Sequence, residues 1–291
     1  MKTFDPIGWD LSTAMALKGD TTVSVCIPCR NEAETIGDLV HMISDALVGT
    51  LVDELIVLDD GSTDGTAEVA TEAGATVVPV DYVHFFHGSA HGKGNALWAS
   101  LVASKGDIVV WCDGDLTSFT PEWIVRLVIP LLLDDQLGLV KASYERPSHL
   151  GGGGRTTELV ARPLLSLFFP ELAEMQQPLA GEYAGRRTML ESIPFATGWG
   201  VEIGLLIDMY QQFGIDSLGQ VDLGVRLHRH HKLETLAIQA AEVAATLLSR
   251  VPDAPVLAEA VPTLRRKSGD DVQLNVMVRP PVKTLSRFGT P

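Results

Sequence analysis

Gly106-Asp-Ile-Val-Val-Trp-Cys-Asp-Gly-Asp115 is an apolar run that ends in two carboxylates one residue apart. It reads as a buried strand that delivers acidic side chains to the end of a sheet. Upstream, strand and helix patterns alternate. Residues 22–27 predict a strand, 33–47 a helix, 54–58 a strand, 64–73 a helix and 75–80 a strand. A loop containing His and Phe follows, then a helix over 94–104 and the strand over 107–112. This alternation specifies an α/β fold with a mostly parallel central sheet flanked by helices on both faces. Ligands bind such sheets beyond the C-terminal ends of the strands. The unusual residues fall there: Pro28-Cys-Arg-Asn-Glu32, Asp59-Asp-Gly-Ser62 and Asp113-Gly-Asp115.

Downstream, the pattern predicts a helix over 121–133 and a strand over 137–143, then a break at Pro147-Ser-His-Leu-Gly-Gly-Gly-Gly154. Helical periods return over 156–168, 201–213 and 234–250, with a strand over 219–225. The tail from Val251 carries proline and charge with little periodicity until 272–278. It reads as an arm packed on a neighbour or on its own subunit.

With 291 residues, 46% of them hydrophobic and 20% charged, the chain can bury a full core. Lys and Arg (22) against Asp and Glu (37) leave a formal charge of −15. That balance argues against a nucleic-acid or anionic-membrane partner, so local basic residues must hold any anionic substrate. The first twenty residues contain no apolar run of signal-peptide length. The longest apolar run, 127–133, is broken by Pro130 and too short to span a bilayer. A soluble cytoplasmic protein is expected. Three cysteines cannot form a disulfide framework. Cys26-Ile-Pro-Cys29 has redox-motif spacing, but Cys26 lies within the apolar strand, which favours a structural role.

Asp113 and Asp115 are hard oxygen ligands placed to grip Mg²⁺ or Mn²⁺ together with a diphosphate. An acidic Asp-Gly turn is the plain alternative. The carboxylates of 59–64 could accept hydrogen bonds from a base or ribose, and Asp64 could equally cap the next helix. Glu32 could contact a nucleoside or stabilise a first helical turn. His91-Gly-Lys-Gly94 opens a helix, where the Lys93 ammonium can meet a diphosphate. No Walker sequence and no GxGxxG after the first strand are present, which disfavours a nucleotide triphosphatase and a dinucleotide dehydrogenase. Gly151-Gly-Gly-Gly-Arg-Thr-Thr157 suits a phosphate or carboxylate, or is a linker capped by Thr156. Val225-Arg-Leu-His-Arg-His-His231 supplies imidazoles, one of which could complete a metal shell with Asp115.

Together these residues resemble the GT-A glycosyltransferases, and within them the glucosyl-3-phosphoglycerate synthase family of actinobacteria. The resemblance runs over residues 22–250. It is carried by Val52-Asp-Glu-Leu-Ile-Val-Leu-Asp59, Gly92-Lys-Gly-Asn-Ala-Leu-Trp98 and Gly152-Gly-Gly-Arg-Thr-Thr-Glu-Leu-Val-Ala-Arg-Pro-Leu-Leu165. Gly181-Glu-Tyr-Ala184, Gly200-Val-Glu-Ile-Gly-Leu-Leu-Ile-Asp208 and Leu223-Gly-Val-Arg-Leu-His228 add to it.

The resemblance implies transfer of glucose from UDP-glucose to the 2-hydroxyl of 3-phosphoglycerate, with retention and a divalent metal (Mg²⁺ or Mn²⁺) but no organic cofactor. It also implies a homodimer. It assigns Pro28, Cys29, Arg30, Glu32 and Asp60 to the uridine side. Lys93 is assigned to the diphosphate, Asp113 and Gly114 to the nucleotide, and Arg226 to its phosphates. Asp115 and His228 are implied as metal ligands, Gly154, Arg155 and Thr157 as acceptor ligands, and Glu202 as a residue near the sugar. Asp115, Glu202 and Lys93 form the implied catalytic set. The implied organisation is a nucleotide-sugar-binding half over 1–115, an acceptor-binding half over 116–250 and a C-terminal arm over 251–291. The family's DSD is DGD here, and its Asn two residues beyond the metal His is His230.

Three other functions are open to this sequence. Some relatives make the mannosyl product from GDP-mannose. A nucleotidyltransferase would carry a Gly-rich loop with Arg and Lys after the first strand, which is not the pattern at 28–32. A non-catalytic sugar-nucleotide sensor could dispense with the metal or acceptor groups that this chain retains.

Overall fold

The computed structural model describes residues 1–146, 154–227, 233–253, 262–266 and 269–285. An eight-stranded sheet organises the chain. Its strands are β1 (Lys2–Phe4), β2 (Val23–Cys29), β3 (Glu54–Asp59), β4 (Thr76–Pro79), β5 (Ile108–Trp111), β6 (Leu139–Glu145), β7 (Tyr183–Arg186) and β9 (Leu218–Val225), in the order β1-β9-β6-β7-β5-β2-β3-β4. Two-residue strands complete the set: β8 (Phe195–Ala196), β10 (Thr263–Leu264), β11 (Val272–Gln273) and β12 (Val278–Arg279). All neighbours in the large sheet are parallel except β7, which runs antiparallel between β5 and β6.

The helices are α1 (Leu11–Lys18), α2 (Ile36–Leu47), α3 (Thr66–Glu72), α4 (Val80–His87), α5 (Lys93–Ala103), α6 (Glu122–Leu133), α7 (Arg162–Phe168), α8 (Arg187–Leu190), α9 (Val201–Phe213) and α10 (Leu233–Leu248). The period-two geometry of the strands divides the core between two faces. Val23, Val25, Ile108 and Val110 pack with α2 and α6 on one side. Cys26, Val109 and Trp111 pack with α5 and α9 on the other. Burial on both sides is why these central strands read as unbroken apolar runs.

The segment expected as a His/Phe loop contains α4. His84 ties it to α5, with Nδ1 at 3.1 Å from Asp81 in the same helix and Nε2 at 2.8 Å from the Asn95 amide. β1 and β7 were not anticipated either. The helix expected over 156–168 contains a π turn, Thr157–Ala161, in which Arg162 N–H donates to Thr157 O five residues back. Asp64 is not the cap of α3: that position is Gly65, with φ 89°. Instead the Asp64 carboxylate accepts from the backbone N–H groups of Ala33 and Thr66, each at 3.1 Å, tying two binding-edge loops together. Glu32 precedes α2 by four residues and therefore stands outside its first turn.

Residues 272–280 pack on their own chain: β12 pairs antiparallel with β8. Among the described residues no helix is long and apolar enough to cross a membrane. The three cysteines are buried, free thiols, and burial pushes the Cys26 pKa up to about 12.

Candidate active site

The C-terminal ends of β2, β3 and β5 open onto a cavity of about 630 Å³. Its floor is a chain of ion pairs. Lys93 opens α5 and places Nζ 2.6 Å from Asp113 Oδ1 and 2.7 Å from Glu202 Oε1 on the first turn of α9. Arg226, just past β9, places Nη2 3.1 Å from Asp113 Oδ2 and 2.9 Å from Glu182 Oε1. Burial alone would raise the Asp113 pKa, but Lys93 and Arg226 hold its carboxyl down at about 2. Burial disfavours the Lys93 ammonium, yet Asp113 and Glu202 hold its pKa well above the ordinary lysine value. Glu182 is fully buried and is shifted up by desolvation against the pull of Arg226.

Close backbone approach makes this floor possible. A Cβ on Gly181 would lie 2.2 Å from Asp113 Oδ2, and one on Gly94 would lie 1.9 Å from Ala196 O. Lys141 supports the same wall. Its side chain is 1% exposed, donates to Ala180 O at 2.9 Å and sits 4.2 Å from the centre of the Tyr183 ring. Burial lowers its pKa to about 8, against the opposing charge of Glu202.

The two carboxylates of Asp113-Gly-Asp115 are in different states. Both oxygens of Asp113 are engaged by cations. Asp115 is half-buried, faces the cavity and makes no hydrogen bond or ion pair among the described residues. It is therefore the hard oxygen donor that a divalent ion can use, and its chemistry fits Mg²⁺ or Mn²⁺. Among the described residues no group of three His, Cys, Asp or Glu gathers as a complete metal site. His228, implied as the second ligand, lies outside the described residues, as does His230.

The remaining expected residues share the cavity. Pro28, Cys29, Arg30 and Glu32 line one side with Asp60 and Gly114. Asp60 is half-buried, with burial raising its pKa, and it accepts from Gly92 N–H at 3.4 Å. Gly114 must be glycine because a Cβ would approach Cys29 Sγ to 2.7 Å. Gly154, Arg155 and Thr157 line the cavity as well, beside the π turn. Trp199, Glu242 and Asn275 also line the cavity and were missed, as were Glu182 and Lys141 beneath its floor. Lys141 did carry a signal, since it is a lone charge inside the apolar run Leu139-Val-Lys-Ala142. Asn275 had none.

The family model for glycosyl transferase family 2 matches residues 24–193. The chain belongs to glycosyl transferase family 2. Within that family it is 49% identical over 260 residues to a glucosyl-3-phosphoglycerate synthase of Mycolicibacterium paratuberculosis, covering 86% of this chain and 79% of that protein. It is likewise similar to the crystal structure of the Mycobacterium tuberculosis glucosyl-3-phosphoglycerate synthase in complex with Mn²⁺, UDP-glucose and phosphoglyceric acid. The TM-score is 0.87 and the identity 45%, over 97% of this chain and 98% of that one. A further structure of the M. tuberculosis protein, with Mg²⁺ and UDP, matches with a TM-score of 0.86 and 45% identity over the same shares. At these TM-scores the two structures share the α/β architecture with a mostly parallel central sheet found here.

Proposed function

We propose that this chain transfers glucose from UDP-glucose to the 2-hydroxyl of 3-phosphoglycerate, retaining the α configuration and using Mg²⁺ or Mn²⁺. The observation that carries this reading is the meeting, in one cavity, of two sets of groups. The Lys93–Asp113–Arg226 cluster and Gly154, Arg155 and Thr157 line the same space. The nearly 50% identity to synthases over most of the chain adds the substrates.

In this reading the 1–115 half binds the nucleotide sugar and the 116–250 half the acceptor. Pro28, Cys29, Arg30, Glu32, Asp60, Asp113 and Gly114 bind the nucleotide. Lys93 and Arg226, already poised beside Asp113, meet the diphosphate with charge-assisted hydrogen bonds. Arg155 and Thr157 hold the acid groups of the acceptor. Asp115 and His228 hold the metal, which when bound neutralises charge on the departing diphosphate. That neutralisation matters because glycosyl transfer passes through an oxocarbenium-like transition state.

Glu202 is buried and ion-paired to Lys93, so it serves as an orienting carboxylate rather than a nucleophile. Attack then proceeds from the face of the leaving group. The anomeric carbon–oxygen bond to UDP breaks, the bond to the acceptor oxygen forms, and the acceptor proton passes to a diphosphate oxygen. The protein acts in the cytoplasm, as a homodimer.

Product formation from 3-phosphoglycerate with UDP-glucose, or separately GDP-mannose, with Mg²⁺ and with chelator, tests this reading. Anomeric NMR should show a metal-dependent α-glucosyl product. Mannosyl product alone, or no transfer despite UDP binding, would overturn it. A trapped glycosyl adduct on Glu202 would refute front-face attack.

A further inference from the structure

Arg279 is 8% exposed and lies far from the cavity floor in sequence, yet its contacts converge on the approach to Lys93. Its guanidinium donates to His87 O at 2.8 Å, Gly88 O at 2.6 Å and Asn95 Oδ1 at 2.9 Å. The first two are carbonyls at the C-terminal end of α4, where a cation satisfies both the open acceptors and the helix dipole. The guanidinium also stacks over Trp98 at 4.7 Å, and Trp98 Nε1 donates to Pro280 O at 2.8 Å.

The rest of the approach is held in the same way. The Asn95 amide donates to Ala90 O at 2.9 Å, and Asn275 Nδ2 donates to His91 O at 2.6 Å. Three side chains therefore take four of the five carbonyls of residues 87–91. Gly92 follows at φ 108°, with no room for a Cβ, which would lie 2.7 Å from Thr197 O. The same C-terminal strap reaches the other side of the site. Thr197 N–H donates to Met277 O at 2.9 Å, while Glu242 accepts from the N–H groups of Asn275 and Trp199, each at 2.8 Å.

We propose that Arg279 is a positioning residue: by fixing residues 87–91 it sets the start of α5 so that Lys93 meets its carboxylates and the diphosphate of the donor. The strap it belongs to anchors the segment before Glu202 as well, and so sets the two sides of the Lys93–Glu202 pair against each other. This rests on the reading of Lys93 as a diphosphate ligand.

The test is a double-mutant cycle on UDP affinity, measured by calorimetry with Mn²⁺, together with steady-state kinetics. Arg279→Met removes the donors while keeping a long apolar stem. It should weaken UDP binding about tenfold and lower kcat/KM for UDP-glucose about a hundredfold, with the acceptor KM within about twofold. In a Lys93→Met background the same substitution should change UDP affinity less than about twofold, because the group it positions is gone. Equal losses in both backgrounds, or unchanged UDP affinity in the single variant, would overturn the proposal. Arg279→Lys keeps the charge but not the three-way fork, and should fall between wild type and Arg279→Met. It runs the same cycle if the Met variant does not fold. A wild-type protein that binds UDP but makes no glucosyl product would sink the substrate assignment alone, since the affinity cycle still reports on Arg279.

Discussion

Gly181→Ala adds one methyl group and removes no charge, which makes it a sharp probe of the cavity floor. The new Cβ would sit 2.2 Å from Asp113 Oδ2 and 2.4 Å from both Cγ and Oδ1. Contacts of that kind do not form below 3.0 Å, so the carboxylate must retreat by roughly 1 Å in an interior with little slack. Asp113 is pinned at 2.6 Å by Lys93 and 3.1 Å by Arg226, so the displacement is handed on to both cations. Overpacking of this size costs about 1–3 kcal/mol of stability. Misplacing a charged group by about 1 Å costs about a hundredfold in rate, equivalent to ~2.7 kcal/mol. Steady-state kinetics with UDP-glucose varied at saturating 3-phosphoglycerate, alongside urea unfolding, read both quantities. In an Asp113→Ala background the same methyl group should cost no more than about 0.5 kcal/mol of stability, because nothing is left to collide with. A folded Gly181→Ala protein whose kcat/KM stays within about twofold of wild type would refute the account of the floor.

Asp115→Ala should abolish turnover and the Mn²⁺ dependence of UDP binding while leaving the fold intact, which circular dichroism and calorimetry would show. Lys141 makes a pH prediction. Its pKa is about 8 in the folded protein and about 10.4 in an unfolded chain. The unfolded state therefore binds the extra proton between those values, and stability rises with pH across that window by about 3 kcal/mol. Unfolding of wild type against Lys141→Met at pH 7.5 and 10.5 should show wild type gaining by that amount; a constant difference would contradict it. Burial raises the thiols of Cys26, Cys29 and Cys112, so iodoacetamide at pH 8 should leave all three unmodified until the protein is unfolded, as read by mass spectrometry.

What the sequence made legible follows from which interactions are local. The buried strands β2, β3 and β5 announce themselves because both their faces meet helices. α9 appears within the bounds its periodicity suggests. The loops at the strand ends could be ranked by composition, and Asp113, Lys93 and Arg155 share the cavity as expected. α4 was hidden because Val80-Asp-Tyr-Val-His-Phe-Phe-His87 has weak local helix preference and is held by Asn95 and Arg279 from elsewhere. β7 is four residues long and pairs with strands more than forty residues away, so only the assembled sheet reveals it. Glu182 and Asn275 belong to the site through contacts made after folding, which no spacing encodes.

The π turn at Thr157–Ala161 stores a phase. Its hydrogen bond spans one residue more than an α-helical one, so the chain upstream meets α7 one step out of α-helical register. Were the same residues wound as ordinary α-helix, everything before the turn would rotate by about 100° relative to α7. Thr157, now buried against the cavity, would swing away while Leu165 stayed in the core. The winding of the chain at this rim is therefore the guarded quantity: exposed Leu159 can change its identity freely so long as the turn keeps its π winding.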